Sequence, residues 1–159
     1  MQGGIEMDLV LWRHAEAQEW VVGCDDMARA LTSRGEKQAA KMARWLDRQL
    51  PEDTLVLVSP ACRCEQTVMA LGRKYKVRPE LGPDCNVTRL LKLVQWPSAK
   101  PTVLVVGHQP VLGQTVARLI GLDAGECSVK KGAVWWLRNQ ERAADDHALV
   151  VAVQSPELL

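Results

Sequence analysis

Three short segments of this 159-residue chain carry side chains suited to chemistry on a phosphoryl group: Arg13-His14, Ser59-Pro60-Ala61-Cys62-Arg63 and Gly107-His108-Gln109-Pro110. Together they supply two arginines and two histidines. The planar fork of an arginine donates to two phosphate oxygens at once. A histidine with no metal beside it is a nucleophile that can take up a phosphoryl group. A second histidine can donate to a phosphate oxygen as charge shifts in the transition state. Taken singly these residues say little. A lone histidine after a strand is ordinarily a hydrogen-bonded loop residue, and a lone arginine at a helix start is ordinarily a surface charge. Their joint placement is what carries weight, because each segment follows a short apolar run.

Those runs, Asp8–Arg13, Thr54–Val58 and Thr102–Val106, read as buried strands. Between them lie helical patterns. Ala39, Met42, Ala43, Leu46 and Leu50 recur at helical spacing until Pro51 stops them. The start of that helix matches a capping box at Ser33-Arg34-Gly35-Glu36, with Thr32 an equally good cap. Ser59-Pro60 reads as a cap followed by proline at the first helical position, opening a helix towards Tyr75. A short extended piece follows over Lys76 to Glu80. Val87 to Gln95 predicts another helix, and a last one runs from Pro110 to a cap at Gly121. Ala133–Leu137 and Ala148–Val153 read as two final strands forming a hairpin. Alternating strands and helices imply one α/β domain, with a mostly parallel central sheet covered by helices on both faces. Ligands of such sheets bind beyond the carboxyl ends of the strands. All three segments then lie on one edge, and two of them open helices whose N-terminal amides favour an anion.

The sequence of motifs resembles the histidine phosphatase superfamily. Leu11-Trp12-Arg13-His14-Ala15-Glu16-Ala17 is similar to its Arg-His-Gly signature, and Ser59 to Thr67 to its Ser-Pro-x-x-Arg-x-x-Gln-Thr motif. Gly107-His108-Gln109-Pro110 resembles its Gly-His-x-Pro motif, and Leu31-Thr32-Ser33-Arg34-Gly35 its Leu-Thr-x-x-Gly helix start. The short chain and the Arg-His-x-x-Ala opening resemble the small bacterial phosphohistidine phosphatase branch. The resemblance implies a phosphoglycerate-mutase-like fold without a cap insertion, since too few residues separate Tyr75 from Thr102 to hold one. It implies that His14 attacks phosphorus and is transiently phosphorylated, while Arg13, Arg63 and His108 hold the phosphoryl oxygens. It implies neither metal nor organic cofactor. Ala15 stands where the broad signature has glycine, a departure that matters if the position needs a positive φ.

The general acid is open among Glu16, Asp25, Asp26, Glu65 and Glu80. A missing cap predicts a site open enough for a protein side chain. A missing strong acid suits a P–N substrate, whose imidazole leaves more easily than an alkoxide. The expected function is therefore metal-independent dephosphorylation of phosphohistidine on a signalling or phosphotransfer protein. The alternatives are a phosphatase for a small phosphoester or phospho-Ser/Thr at the same site, and a non-catalytic phosphate-binding module.

Other chemistries are excluded by spacing. No cysteine has the arginine partner of a cysteine phosphatase, no Asp-x-Asp pair exists, and there is no Gly-x-x-x-x-Gly-Lys loop. The carboxylates and three histidines do not cluster as a two-metal site requires. Lys plus Arg number 20 against 19 Asp plus Glu, so a net charge of +1 speaks against nucleic-acid binding by bulk charge. No apolar run approaches the ~20 residues that span a bilayer. Five irregularly spaced cysteines predict reduced thiols and a cytoplasmic location. Residues 1–7 read as an N-terminal lead open to disorder, and 8–159 as the single domain. Oligomeric state has no sequence signal. Trp20 and Trp96 are expected to anchor loops, Lys130-Lys131 to be a solvated turn, and His147 an ordinary strand-edge residue.

Overall fold

The computed structural model describes residues 6–99, 101–140 and 147–159. Its elements run β1 (Asp8–Arg13), α1 (Ser33–Gln49), β2 (Leu55–Val58), α2 (Cys62–Met69), β3 (Lys76–Val77), α3 (Val87–Val94), β4 (Thr102–Gly107), α4 (Val111–Ile120), β5 (Val134–Arg138) and β6 (Leu149–Gln154). One six-stranded sheet has the order β3-β2-β4-β1-β5-β6. The first four strands in that order are mutually parallel, and β5 and β6 are antiparallel additions, so the sheet is mostly parallel as expected.

Alternation along the strands sorts the core into two layers. Leu9, Leu11, Val103 and Val105 face α3 and α4, packing with Leu90, Val94, Leu112 and Val116. Val10, Trp12, Leu104 and Val106 face α1 and α2, packing with Met42, Leu46, Cys64 and Val68. Covered on both sides, β1 and β4 read in sequence as continuous apolar runs. Trp135 and Trp136, adjacent on β5, pack into opposite layers as their alternation predicts.

The register brings the functional edge flush. Arg13 pairs with Gly107 and Val58 with Val106, so the residues following β1, β2 and β4 emerge side by side.

Several local readings are corrected. Thr32, not Ser33, caps α1: its hydroxyl accepts from the Gly35 amide, and Ser33 is already helical. Ser59 does not cap α2. The helix starts two residues later than that reading needs, because the Ser59 hydroxyl is drawn to His108 and reaches only the Ala61 amide. The helix ends at Met69 rather than continuing towards Tyr75. Met7, assigned to the lead by sequence, is fully buried among core residues, and Glu6 reaches Arg138 at 3.8 Å.

Candidate active site

Arg13 closes β1 and His14 follows it; His108 follows β4; Arg63 sits in the first turn of α2, after β2. Backbone pairing continues past the strand ends, with the His14 amide donating to the Gly107 carbonyl and the Ser59 amide to the Val106 carbonyl. The four side chains predicted from sequence thus converge. They line one cleft of about 270 Å³ together with Ala17, Arg29, Pro83, Gln109 and Lys131. The His14 and His108 rings lie edge to face with centroids 5.4 Å apart.

Each ring has a defined anchor. His14 Nδ1 lies 2.8 Å from the Ala15 carbonyl oxygen, which can only accept, so Nδ1 carries the proton and Nε2 is the bare nitrogen. Burial pushes the His14 pKa down to about 3; the Ala15 hydrogen bond opposes the shift, and the charges of His108, Arg63 and Arg13 reinforce it. His108 Nε2 lies 2.8 Å from the Ser59 hydroxyl, and its Nδ1 lies 3.4 Å from an Arg63 nitrogen. Burial, then the Arg63 charge, lowers its pKa to about 4, with Asp26 acting in the other direction. Both rings are therefore neutral at neutral pH. Two buried, uncharged imidazoles beside three arginines make a site whose positive charge resides on guanidinium groups and the Lys131 ammonium, with a free lone pair on His14.

The rest of the Ser59–Thr67 motif secures the loop that follows His14. Thr67 accepts from the Ala15 amide at 3.0 Å while donating to the Arg63 carbonyl. Gln66 accepts from the Leu31 amide at 2.7 Å. Ala15 itself is fully buried, and among the described residues Gln95 is the one non-glycine with a positive φ, so the backbone at Ala15 asks for no glycine.

None of the five candidate acids lines the cleft. Glu16 accepts from the Thr32 hydroxyl, Asp25 caps a 3-10 turn over Asp26–Ala28, Glu65 accepts from Tyr75, and Glu80 pairs with Arg78. Asp26 alone touches a cleft residue, pairing with Arg63 at 3.2 Å and Arg29 at 2.9 Å. Burial would raise its pKa, but the Arg29 hydrogen bond and the Arg63 charge and hydrogen bond outweigh that and hold it below its ordinary value. An acid kept ionised by two arginines is poorly placed to give up a proton.

Sequence reading did not find Arg29 or Lys131. Arg29 lies in the loop after β1, and its one signal is the spacing to Asp26, with which it forms an i,i+3 ion pair. Lys131, expected in a solvated turn, reaches the cleft because β5 runs antiparallel to β1 and so begins where β1 ends; the Gly132 amide donates to the His14 carbonyl. Trp20 is 54% exposed and donates to the Cys24 carbonyl within its own turn, whereas Trp96 packs against the core. Among the described residues no group of three or more His, Cys, Asp and Glu side chains is arranged to hold a metal ion.

Residues 9–86 match the model of the histidine phosphatase superfamily (branch 1). The chain is 34% identical over 121 residues to phosphohistidine phosphatase SixA of Escherichia coli K12, covering 71% of this chain and 74% of that protein. It is 30% identical over 131 residues to a SixA homolog of Haemophilus influenzae, covering 72% and 78%. Among solved structures, protein histidine phosphatase SixA complexed with tungstate superposes with a TM-score of 0.76 at 29% identity, covering 96% of this chain and 99% of that one.

Proposed function

The chain belongs to the histidine phosphatase superfamily, and on that premise we propose that it removes the phosphoryl group from phosphohistidine on a partner protein, through a phosphorylated His14. The observation that carries the reading is the His14 ring itself: neutral, fixed by the Ala15 carbonyl at Nδ1, and bare at Nε2 inside a cleft lined by arginines. In the first step the Nε2 lone pair forms a bond to phosphorus as the bond from phosphorus to the substrate imidazole breaks; that ring, protonated on its other nitrogen, keeps the electron pair and leaves as neutral imidazole. Arg13 and Arg63 donate to the equatorial oxygens, where charge gathers in the transition state, and His108, whose Nδ1 lies against Arg63, supports that grip. In the second step water attacks phospho-His14, releasing inorganic phosphate and restoring the neutral ring.

The leaving imidazole needs less acid assistance than an alkoxide would, which accords with a cleft whose lining holds no carboxylate. The relatives named phosphohistidine phosphatase, and the tungstate held by one of them, support the substrate class, because tungstate is a tetrahedral oxyanion like phosphate. No helix among the described residues is long and apolar enough to cross a membrane, and all five cysteines are free thiols. Both features support a cytoplasmic place of action, where thiols stay reduced. Residues 8–159 act as one catalytic domain, and the chemistry proceeds without a metal or organic cofactor.

Phosphate release from a phosphohistidine-bearing carrier protein, measured in chelator, tests the proposal. Wild type releases phosphate and His14→Ala does not. Equal release by both would remove His14 from the mechanism, and a clear preference for a sugar phosphate would overturn the protein substrate.

A further inference from the structure

Arg63 is held in an unusual way for a residue that must grip a substrate. Its side chain is 4% exposed, and the two nitrogens of its terminal edge are occupied by one residue: NH1 donates to the Asp26 carbonyl at 2.9 Å and NH2 to Asp26 Oδ2 at 3.2 Å. The other carboxylate oxygen of Asp26 accepts from Arg29 Nε at 2.9 Å, and Arg29 is tied in turn to the Gln18 carbonyl at 2.7 Å. Asp26 thus bridges two guanidinium groups that both line the cleft. A guanidinium has five donors in a rigid plane, and fixing the terminal edge fixes the direction of the other edge, formed by Nε–H and the second NH2 hydrogen. On that edge the NH2 lies 3.4 Å from His108 Nδ1, and Nε is buried with no partner among the described residues.

We infer that Asp26 is a positioning residue for phosphoryl transfer: by holding the terminal edge of Arg63 it presets the direction of the Nε/NH2 edge, whose unpartnered Nε–H is left to donate to a phosphoryl oxygen. The inference rests on the phosphatase reading above and goes beyond it by assigning the loop after β1 a part in catalysis. Asp26 touches no reacting atom; it acts by removing rotational freedom from a long side chain before the substrate arrives. Its charge works against anion binding while its geometry works for the transition state, and that opposition makes the role testable.

Three proteins are compared: wild type, Asp26→Asn and Asp26→Glu. Turnover is measured with a phosphohistidine carrier and with p-nitrophenyl phosphate, alongside competitive inhibition by inorganic phosphate. In Asp26→Asn kcat falls roughly 10- to 100-fold, the scale of a misplaced catalytic group. Phosphate affinity stays within about threefold or tightens, because one part-exposed negative charge has gone. Asp26→Glu recovers most of the rate. In 15N-resolved NMR spectra the Arg63 Nε–H resonance shifts on adding phosphate to wild type and does not in Asp26→Asn. An unchanged or raised kcat in Asp26→Asn would overturn the inference, making Asp26 a bystander or a brake. So would equal losses of kcat and phosphate affinity with a lowered melting temperature and no recovery by Glu, the signature of a purely structural role. A wild type that ignores phosphohistidine would sink the substrate assignment alone, since the aryl phosphate and NMR arms still judge Asp26.

Discussion

At the scale of single residues, the contact between His14 Nδ1 and the Ala15 carbonyl decides which ring nitrogen keeps a free lone pair, the one to which the proposed mechanism gives the attack. The backbone carbonyl removes the tautomer choice that a free imidazole would have, and burial removes the competing protonated form. A nucleophile must be unprotonated, and a ring whose pKa has fallen to about 3 remains so through the whole mildly acidic range. In long-range 1H–15N spectra of the resting protein, the His14 ring is expected to stay neutral with its proton on Nδ1 from pH 8 down to pH 5. A titration near the ordinary histidine value, or a proton on Nε2, would contradict the assignment. The meeting of Arg13, His14, Arg63 and His108 in one cleft was legible in the sequence because each ends or follows a strand or opens a helix, where backbone geometry dictates side-chain position. The partner that orients Arg63 was only half legible. Asp26 stood among five candidate acids, and its pairing depends on how the loop after β1 folds back, which no local pattern encodes.

The elements bring these residues together through a few close approaches rather than through long contacts. The first turn of α1 presses on the strand-to-loop corner behind His14: a Cβ placed on Gly35 would collide with the carbonyl of Glu16. The same carbonyl accepts from the Thr32 amide, so cap and corner are one unit. In an exposed helix, replacing glycine by alanine gains up to about 1 kcal/mol of helix propensity. Here the collision is with backbone, which cannot rotate away, and forced overpacking costs typically about 1–3 kcal/mol. Gly35→Ala is therefore expected to lower the urea midpoint and to reduce turnover by shifting the Ala15–Glu16 corner. A stabilised variant of full activity would show that the corner tolerates displacement. Helix and strand identities were legible because apolar periodicity is local. The cap of α2 was misread for an equally physical reason: the Ser59 hydroxyl had two possible acceptances of its hydrogen-bonding capacity, the helix amides and the His108 ring, and the second lies 49 positions away in sequence.

For the whole molecule, the central place of β1 and β4 has a thermodynamic consequence. Strands buried on both faces end in a site that keeps two imidazoles out of water, 8% and 3% exposed at His14 and His108. The parallel core and its covering helices were legible from alternating strands and helices; Lys131 and Arg29 were not, because the antiparallel return of β5 and the path of the loop after β1 are tertiary facts. The buried histidines tie stability to pH. Their folded pKa values, about 3 and about 4, lie below the ordinary 6.5, so between those values the unfolded chain binds more protons than the folded one. Stability must then rise with pH across that window and fall as pH drops below 6.5. At pH 5 each ring costs about 2 kcal/mol relative to neutral pH, a large share of the roughly 5–15 kcal/mol that holds a domain folded. The groups facing the rings do not reverse this: Arg13, Arg29 and Arg63 stay charged throughout, and Asp26, held below its ordinary value, is ionised at both pH values. Urea unfolding at pH 7 and pH 5 should therefore show a clearly lower midpoint in acid. The double variant His14→Gln, His108→Gln should lose most of that difference, because glutamine stays neutral in both states. Equal midpoints at the two pH values in the wild type would mean that the rings are more hydrated than their burial indicates.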